Sequence, residues 1–142
     1  MDHFALETDS MYHAFTEKKL HRNFMGYTSS KTQLMIGLGA SSISDSWYGF
    51  AQNEKSIEEY YARLDKNEIP VFKGHILTPE DLIIRRHILN LMCHFETSWE
   101  DEALYFPELP NTLEQLHEMV LDELVEIKKN KMLVTEKGKG FV

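Results

Sequence analysis

The sequence predicts a mainly α chain with a small β component, and three observations lead there. Thr78-Pro79-Glu80-Asp81 is a strong helix start, followed by an apolar arc that runs to Phe95. Ile57, Tyr60, Tyr61 and Leu64 recur at helical spacing with charges between them. Leu124 to Thr135 reads as strand, turn, strand behind a further helix, the order found in winged-helix-like modules.

Taken along the chain, the first helix follows Thr8, the expected N-cap, with Asp9 in its first turn. Met11, Ala14 and Phe15 share its inner face, and it fades near Lys19. Leu20 to Thr28 reads as irregular or short-strand backbone. Leu34-Met35-Ile36-Gly37-Leu38-Gly39-Ala40 is a continuous apolar run, as expected of a parallel strand buried on both faces. No second strand of this kind is present, so its sheet partner is expected outside the chain. Gly37 and Gly39 fit close packing within that strand first and the approach of a ligand second.

Helical character begins near Asn53 and stops at Asn67 and Pro70. Leu82, Ile83, Ile84, Ile88, Leu89, Leu91, Met92 and Phe95 make the segment after Thr78 the expected core helix. Asn111-Thr112-Leu113-Glu114 reads as a capping box for the helix carrying Leu116 and Val120. Thr135 to Val142 reads as the start of one more helix, so both ends are expected to belong to something longer.

Composition narrows the function. The 142 residues are 42% hydrophobic and 11% aromatic, enough for a real core. A net charge of −8, from 23 acidic and 15 basic residues, opposes a phosphate backbone or an anionic membrane. The basic tract Lys128 to Lys139 is preceded by a helix bearing Glu114, Glu118, Asp122 and Glu123, so nucleic acid is not an expected partner. No apolar run is long enough to cross a bilayer, and no signal peptide is evident; a reducing cytoplasm is expected. One cysteine, Cys93, is too few for a multi-cysteine zinc or iron–sulfur site. It reads as a buried, inert thiol. The seven histidines show no i, i+4 pair, and His87 and His94, seven apart, read as structural or solvated. Arg85-Arg86 reads as a solvated or salt-bridged pair before a phosphate grip.

Leu20-His21-Arg22-Asn23-Phe24-Met25-Gly26-Tyr27-Thr28 changes the picture. With Met1 to Ala5, Ile36 to Ser44, Phe50-Ala51-Gln52-Asn53, Gly74 to Thr78 and Val134 to Gly138, it resembles the oxygen-independent coproporphyrinogen III dehydrogenases, also called oxidases. The likeness spans nearly the whole chain. The haem-chaperone branch of the same superfamily usually has Asn followed shortly by Tyr-Trp where this chain has Asn23 to Tyr27, so the dehydrogenase branch is the better match.

The resemblance implies a radical S-adenosylmethionine enzyme of haem biosynthesis, which oxidatively decarboxylates two propionates of coproporphyrinogen III to vinyl groups. It implies a 4Fe-4S cluster on three cysteines of an N-terminal motif, with S-adenosylmethionine, in the parent protein. That motif is absent here. Neither group is expected to be retained, no catalytic or metal residue is expected, and the chain should be inactive alone. Residues 1–53 would be the terminal segment of the barrel, its last helix and strand, and 54–142 a helical, winged-helix-like C-terminal domain. Phe24, Met25 and Ile43 would lie beside S-adenosylmethionine, with Gly37 and Gly39 leaving room for it; better-known members carry glutamine where this chain has Met25. The implied partners are the N-terminal barrel of the same enzyme and a tetrapyrrole substrate. Dimerisation through the cut barrel edge at Leu34 to Leu38 is a further expectation. The rival readings are a stand-alone winged-helix-like binding module and a haem-binding chaperone relative.

Overall fold

The structure is a computed structural model and describes residues 5–142. The motif match at Met1 to Phe4 lies outside the described residues. Along the chain come helix α1 (Ser10–Thr16), strands β1 (His21–Asn23) and β2 (Gly26–Thr28), then β3 (Leu34–Met35), β4 (Ile43–Ser46) and β5 (Gly49–Asn53). Helix α2 (Ile57–Leu64), strand β6 (Val71–Ile76) and the long helix α3 (Pro79–His94) follow. Next are β7 (Glu96–Ser98), α4 (Leu109–Gln115), α5 (His117–Leu121) and the hairpin of β8 (Val125–Lys128) and β9 (Lys131–Val134). Short 3-10 turns cover Glu102–Leu104 and Gly138–Phe141, the latter in place of the expected terminal helix.

Helix and strand are therefore mixed, where the sequence predicts mainly α. Among the described residues the strands form three sheets, ordered β1-β2, β3-β4-β5-β6 and β7-β9-β8, with every pairing antiparallel. Strands such as β4 (Ile-Ser-Asp-Ser) and β6, with Lys73, Gly74 and His75, lack the apolar run by which a buried strand is recognised.

The chain divides into two compact units, residues up to Lys31 with Ile83–Val142, and Thr32–Leu82. The expected boundary at residue 53 falls inside the second unit, because β5, ending at Asn53, is laddered to β6.

In the first unit, Asp9 rather than Thr8 caps α1: its carboxylate accepts the Met11 amide at 2.7 Å and meets the positive end of the helix. Ala14 and Leu20 pack with Cys93 of α3, with Met11 and Tyr27 against them. Of the residues expected to make α3 a core helix, Ile88 is exposed, and the buried positions are His87 and Cys93. The imidazole of His87 donates from Nε2 to the Leu104 carbonyl at 2.8 Å, while Nδ1 pairs with the Thr97 hydroxyl at 2.7 Å. A buried ring with both nitrogens engaged is a structural strut. Helix α4 starts at Leu109 with Pro110 in its first turn, so the expected capping box at Asn111 is not used; Asn111 instead donates to Glu108. The β8–β9 hairpin forms where the sequence places it. Two of its lysines are ion-paired: Lys131 with Glu96 at 2.7 Å and Lys128 with Glu126 at 3.0 Å.

In the second unit, Ser56 caps α2 by accepting the Glu59 amide at 3.1 Å. This helix buries none of its residues. Its anchor is polar: buried Glu54 accepts from Arg63 at 2.7 Å. The start of α3 is the Thr78 cap read from the sequence. Asp81 completes a reciprocal box, accepting the Thr78 amide and hydroxyl at 2.9 Å each. Those bonds, the amide first, hold the Asp81 carboxyl below its usual range.

The apolar run at Leu34 to Ala40 is not a buried parallel strand. Only Leu34 and Met35 pair, antiparallel to Ser46 and Asp45, and beyond them the chain leaves the sheet. Ile36 is 67% exposed and Leu38 84%. The glycines supply the reason. They let the backbone fold back on β4 instead of continuing as a strand.

Candidate functional site

The five expected ligand-wall residues fall in two places. Phe24 and Met25 form the tip of the β1–β2 hairpin in the first unit, and both are exposed. Asn23 shapes that tip, its side-chain oxygen accepting the Met25 amide at 2.8 Å. Behind the tip, Tyr27 donates its hydroxyl to the Met92 carbonyl at 3.1 Å. Arg22 reaches the Met92 sulfur at 3.3 Å and lies 5.4 Å from the centre of the Tyr27 ring. The hairpin is thus pinned to α3 on one face and offers a phenyl ring and a thioether at its end.

Gly37, Gly39 and Ile43 belong to the second unit. Gly37 needs to be glycine because its own chain comes close: a Cβ there would meet the Ile43 backbone at 2.8 Å. Gly39 needs to be glycine for its torsion, φ +96°, since a Cβ there would make only an ordinary contact, with Ser42 Oγ at 3.7 Å. Both glycines therefore have a reason inside the loop itself. Ile43 opens β4 and is half-buried.

The loop between β3 and β4 is held by side chains that the sequence reading did not single out. Asn53, only 6% exposed, donates from Nδ2 to the Gly37 carbonyl at 3.1 Å and to the Gly39 carbonyl at 2.9 Å. The Gly37 amide donates to Ser44 Oγ at 3.1 Å and the Gly39 amide to the Tyr60 hydroxyl at 3.2 Å. Ser41, itself at φ +63°, donates its amide to the Glu54 carbonyl at 2.8 Å. Ser42 Oγ donates to the Leu38 carbonyl at 2.6 Å. A hint was available: Asn53 is a small amide at the junction of a strand and a helix cap, where a side chain can reach a neighbouring loop. The loop's polar atoms turn inward, and Ile36 and Leu38 point their carbon outward.

The residues present do not fit an iron–sulfur cluster. The single cysteine is 2% exposed, and burial pushes its thiol up to about 11, against weak opposition from Arg22. Among the described residues no group of three or more His, Cys, Asp and Glu side chains is arranged to hold a metal ion. No described helix is long and apolar enough to cross a membrane.

Known proteins supply the context for these surfaces. No protein-family model matches the chain. It is 35% identical over 147 aligned residues to the oxygen-independent coproporphyrinogen III oxidase of Salmonella typhimurium, covering 100% of this chain and 32% of that protein. For the Escherichia coli enzyme the figures are 36% over 150 aligned residues, 100% and 32%. The solved structure of Escherichia coli coproporphyrinogen III oxidase, a radical SAM enzyme, superposes with a TM-score of 0.86 at 33% identity, over 98% of this chain and 33% of that one. The chain is homologous to the C-terminal part of these oxidases. It spans about a third of the length of the coproporphyrinogen III oxidases it matches.

Proposed function

We propose that this chain supplies the C-terminal part of an oxygen-independent coproporphyrinogen III oxidase, the oxidoreductase of haem biosynthesis that turns two propionates of coproporphyrinogen III into vinyl groups. One observation carries this. Similarity at 35% identity and a TM-score of 0.86 both run the length of the chain, against a radical SAM enzyme of the same name. The cluster and S-adenosylmethionine of such an enzyme would supply the radical chemistry. With one buried cysteine, this chain holds neither the cluster nor the reacting centre.

What its residues do is bind and exclude. Phe24 and Met25 at the hairpin tip act as one apolar wall for S-adenosylmethionine, and Ile43 with the Gly37–Gly39 loop, taken by itself, as another, each keeping water from the adenosyl or methionyl group it meets. Exposed side chains at Phe24 and Met25 on the tip and at Leu38 in the loop, on backbones fixed by their own hydrogen bonds, support that role. Residues 5–53 supply the terminal segment of the barrel. The helices α3 to α5 with the β8–β9 wing form a winged-helix-like cover. The N-terminal barrel is the partner, and a tetrapyrrole the substrate, of the assembled enzyme. A cytoplasmic setting suits the free thiol.

The test joins this chain to the first two-thirds of the Escherichia coli relative. The fusion should convert coproporphyrinogen III to protoporphyrinogen IX under reducing conditions, and the chain alone should not. A fusion that loads its cluster and cleaves S-adenosylmethionine, yet leaves coproporphyrinogen III unchanged, would remove the proposal.

A further inference from the structure

We propose that Asn53 is the positioning residue of the ligand wall, setting the height and direction of the Gly37–Gly39 loop for S-adenosylmethionine; the proposal rests on the assignment of that loop as a wall. Asn53 is the last residue of β5 and sits where the β5–β6 register shifts between Gln52 and Asn53. A bulge of this kind re-aims a side chain out of the alternation of its strand. The re-aimed carboxamide points at the loop, and both of its partners are carbonyls, Gly37 O at 3.1 Å and Gly39 O at 2.9 Å. Carbonyls only accept, so the group facing them must be the NH2, and both of its hydrogens are used. The backbone of the same residue takes a third hold, its amide donating to the Ser42 carbonyl at 2.9 Å. One buried residue therefore fixes the loop at three points, residues 37, 39 and 42.

The closest substitutes do not satisfy this geometry. An aspartate would set acceptors against acceptors, glutamine is a methylene too long, and serine offers a single short donor. The loop that results carries its exposed side chains on a backbone that does not have to be ordered when a ligand arrives. This is how preorganisation raises affinity without adding a contact. Tyr60 holds the Gly39 amide from α2, but from outside, so the buried amide of Asn53 is the part of the clamp that solvent cannot replace.

The experiment compares Asn53→Ala, the milder Asn53→Ser and Ile43→Ala in two settings. In the chain itself, amide hydrogen exchange is followed at Gly39 and Ser41, with the β8–β9 hairpin as the internal check on folding. In the fusion described above, KM for S-adenosylmethionine and kcat are measured separately. Asn53→Ala should speed exchange at Gly39 and Ser41 by about tenfold or more while leaving the hairpin unchanged. It should raise KM for S-adenosylmethionine about tenfold with kcat within about twofold, and Asn53→Ser should fall between. Unchanged exchange at Gly39 would overturn the clamp. Faster exchange with an unchanged KM, while Ile43→Ala raises KM, would overturn the positioning role and leave the wall assignment standing. If Ile43→Ala and both Asn53 variants all leave KM unchanged, the wall assignment fails, and the proposal with it.

Discussion

Replacing Glu96 by glutamine should make the chain less stable at neutral pH and make that loss vanish in acid. Glu96 opens β7, and each of its oxygens meets a lysine: Oε1 accepts from Lys18 at 2.6 Å and Oε2 from Lys131 at 2.7 Å. The carboxyl is 30% exposed, and its hydrogen bonds to Lys131 and then Lys18 bring it down from 4.5 to about 2. In an unscreened setting that lowering would correspond to roughly 3.4 kcal/mol. Both lysines stand well in solvent, which screens the pair, so about 1–2 kcal/mol is the realistic share. Because the folded value lies below the unfolded one, this stability is fully present above about pH 4.5 and is lost as the pH falls toward 2.

Urea melts at a series of pH values provide the assay. With a slope of about 1.5–2 kcal/mol per molar urea, the Glu96→Gln midpoint should fall by about 0.5–1 M at pH 7. The gap should close between pH 4.5 and about 2, and shrink in 1 M salt, where the screening length drops to about 3 Å. A gap that stays constant from pH 7 to pH 2.5 would refute the electrostatic origin and assign the loss to packing.

Thr97→Val should cost about 1–3 kcal/mol, because Nδ1 of buried His87 would lose its partner and no water could replace it; a thermal melt reads this directly. Gly37→Ala should destabilise by about 1–3 kcal/mol, since the new methyl meets the Ile43 backbone, and hydrogen exchange should place the damage in the β3–β4 loop. Cys93 should resist iodoacetamide at pH 8 while the chain is folded and react within minutes once it is unfolded in guanidinium, given a buried thiol raised to about 11. The chain by itself should self-associate at high concentration through exposed carbon at Ile36 and Leu38. Leu38→Asp should shift sedimentation toward the monomer, and an unchanged profile would place the contact elsewhere.

What could be read from the sequence followed how local its cause was. The Thr78 cap and the β8–β9 hairpin are set by side chains within a few residues of the backbone they control, and both stand where the sequence puts them; α2 starts at Ile57 behind its Ser56 cap, not near Asn53, which closes β5. The apolar run at Leu34 to Ala40 misled because its carbon content says nothing about direction. The turn back onto β4 depends on Gly37 meeting Ile43 and on Asn53, sixteen and fourteen residues from its two carbonyl partners. The sheet β3-β4-β5-β6 was missed for a related reason. Its strands expose residues on both sides and pair through backbone, which leaves little alternation to detect. The support behind the hairpin tip at Phe24 and Met25, from Tyr27 to Met92, spans more than sixty positions and leaves no local signal.

The chemistry of the Gly37–Gly39 loop limits what can bind there. Glycine-rich loops that cradle phosphate do so with free backbone amides aimed at the anion. Here the amides of Gly37, Gly39 and Ser41 already donate to Ser44, Tyr60 and Glu54, and the carbonyls of residues 37, 38 and 39 already accept. An anion arriving at this surface would find no spare donor from those three residues, and freeing one would take a hydrogen bond away from its present acceptor, the Ser44 or Tyr60 hydroxyl or the Glu54 carbonyl. A ligand that meets the loop through carbon disturbs none of this. It gains by covering Leu38, which is 84% exposed, at roughly 25 cal/mol for each Å² removed from water. On the proposal that this loop is a ligand wall, it selects for the apolar face of a ligand, such as a nucleoside base or a methionyl chain, and leaves charged groups to other surfaces.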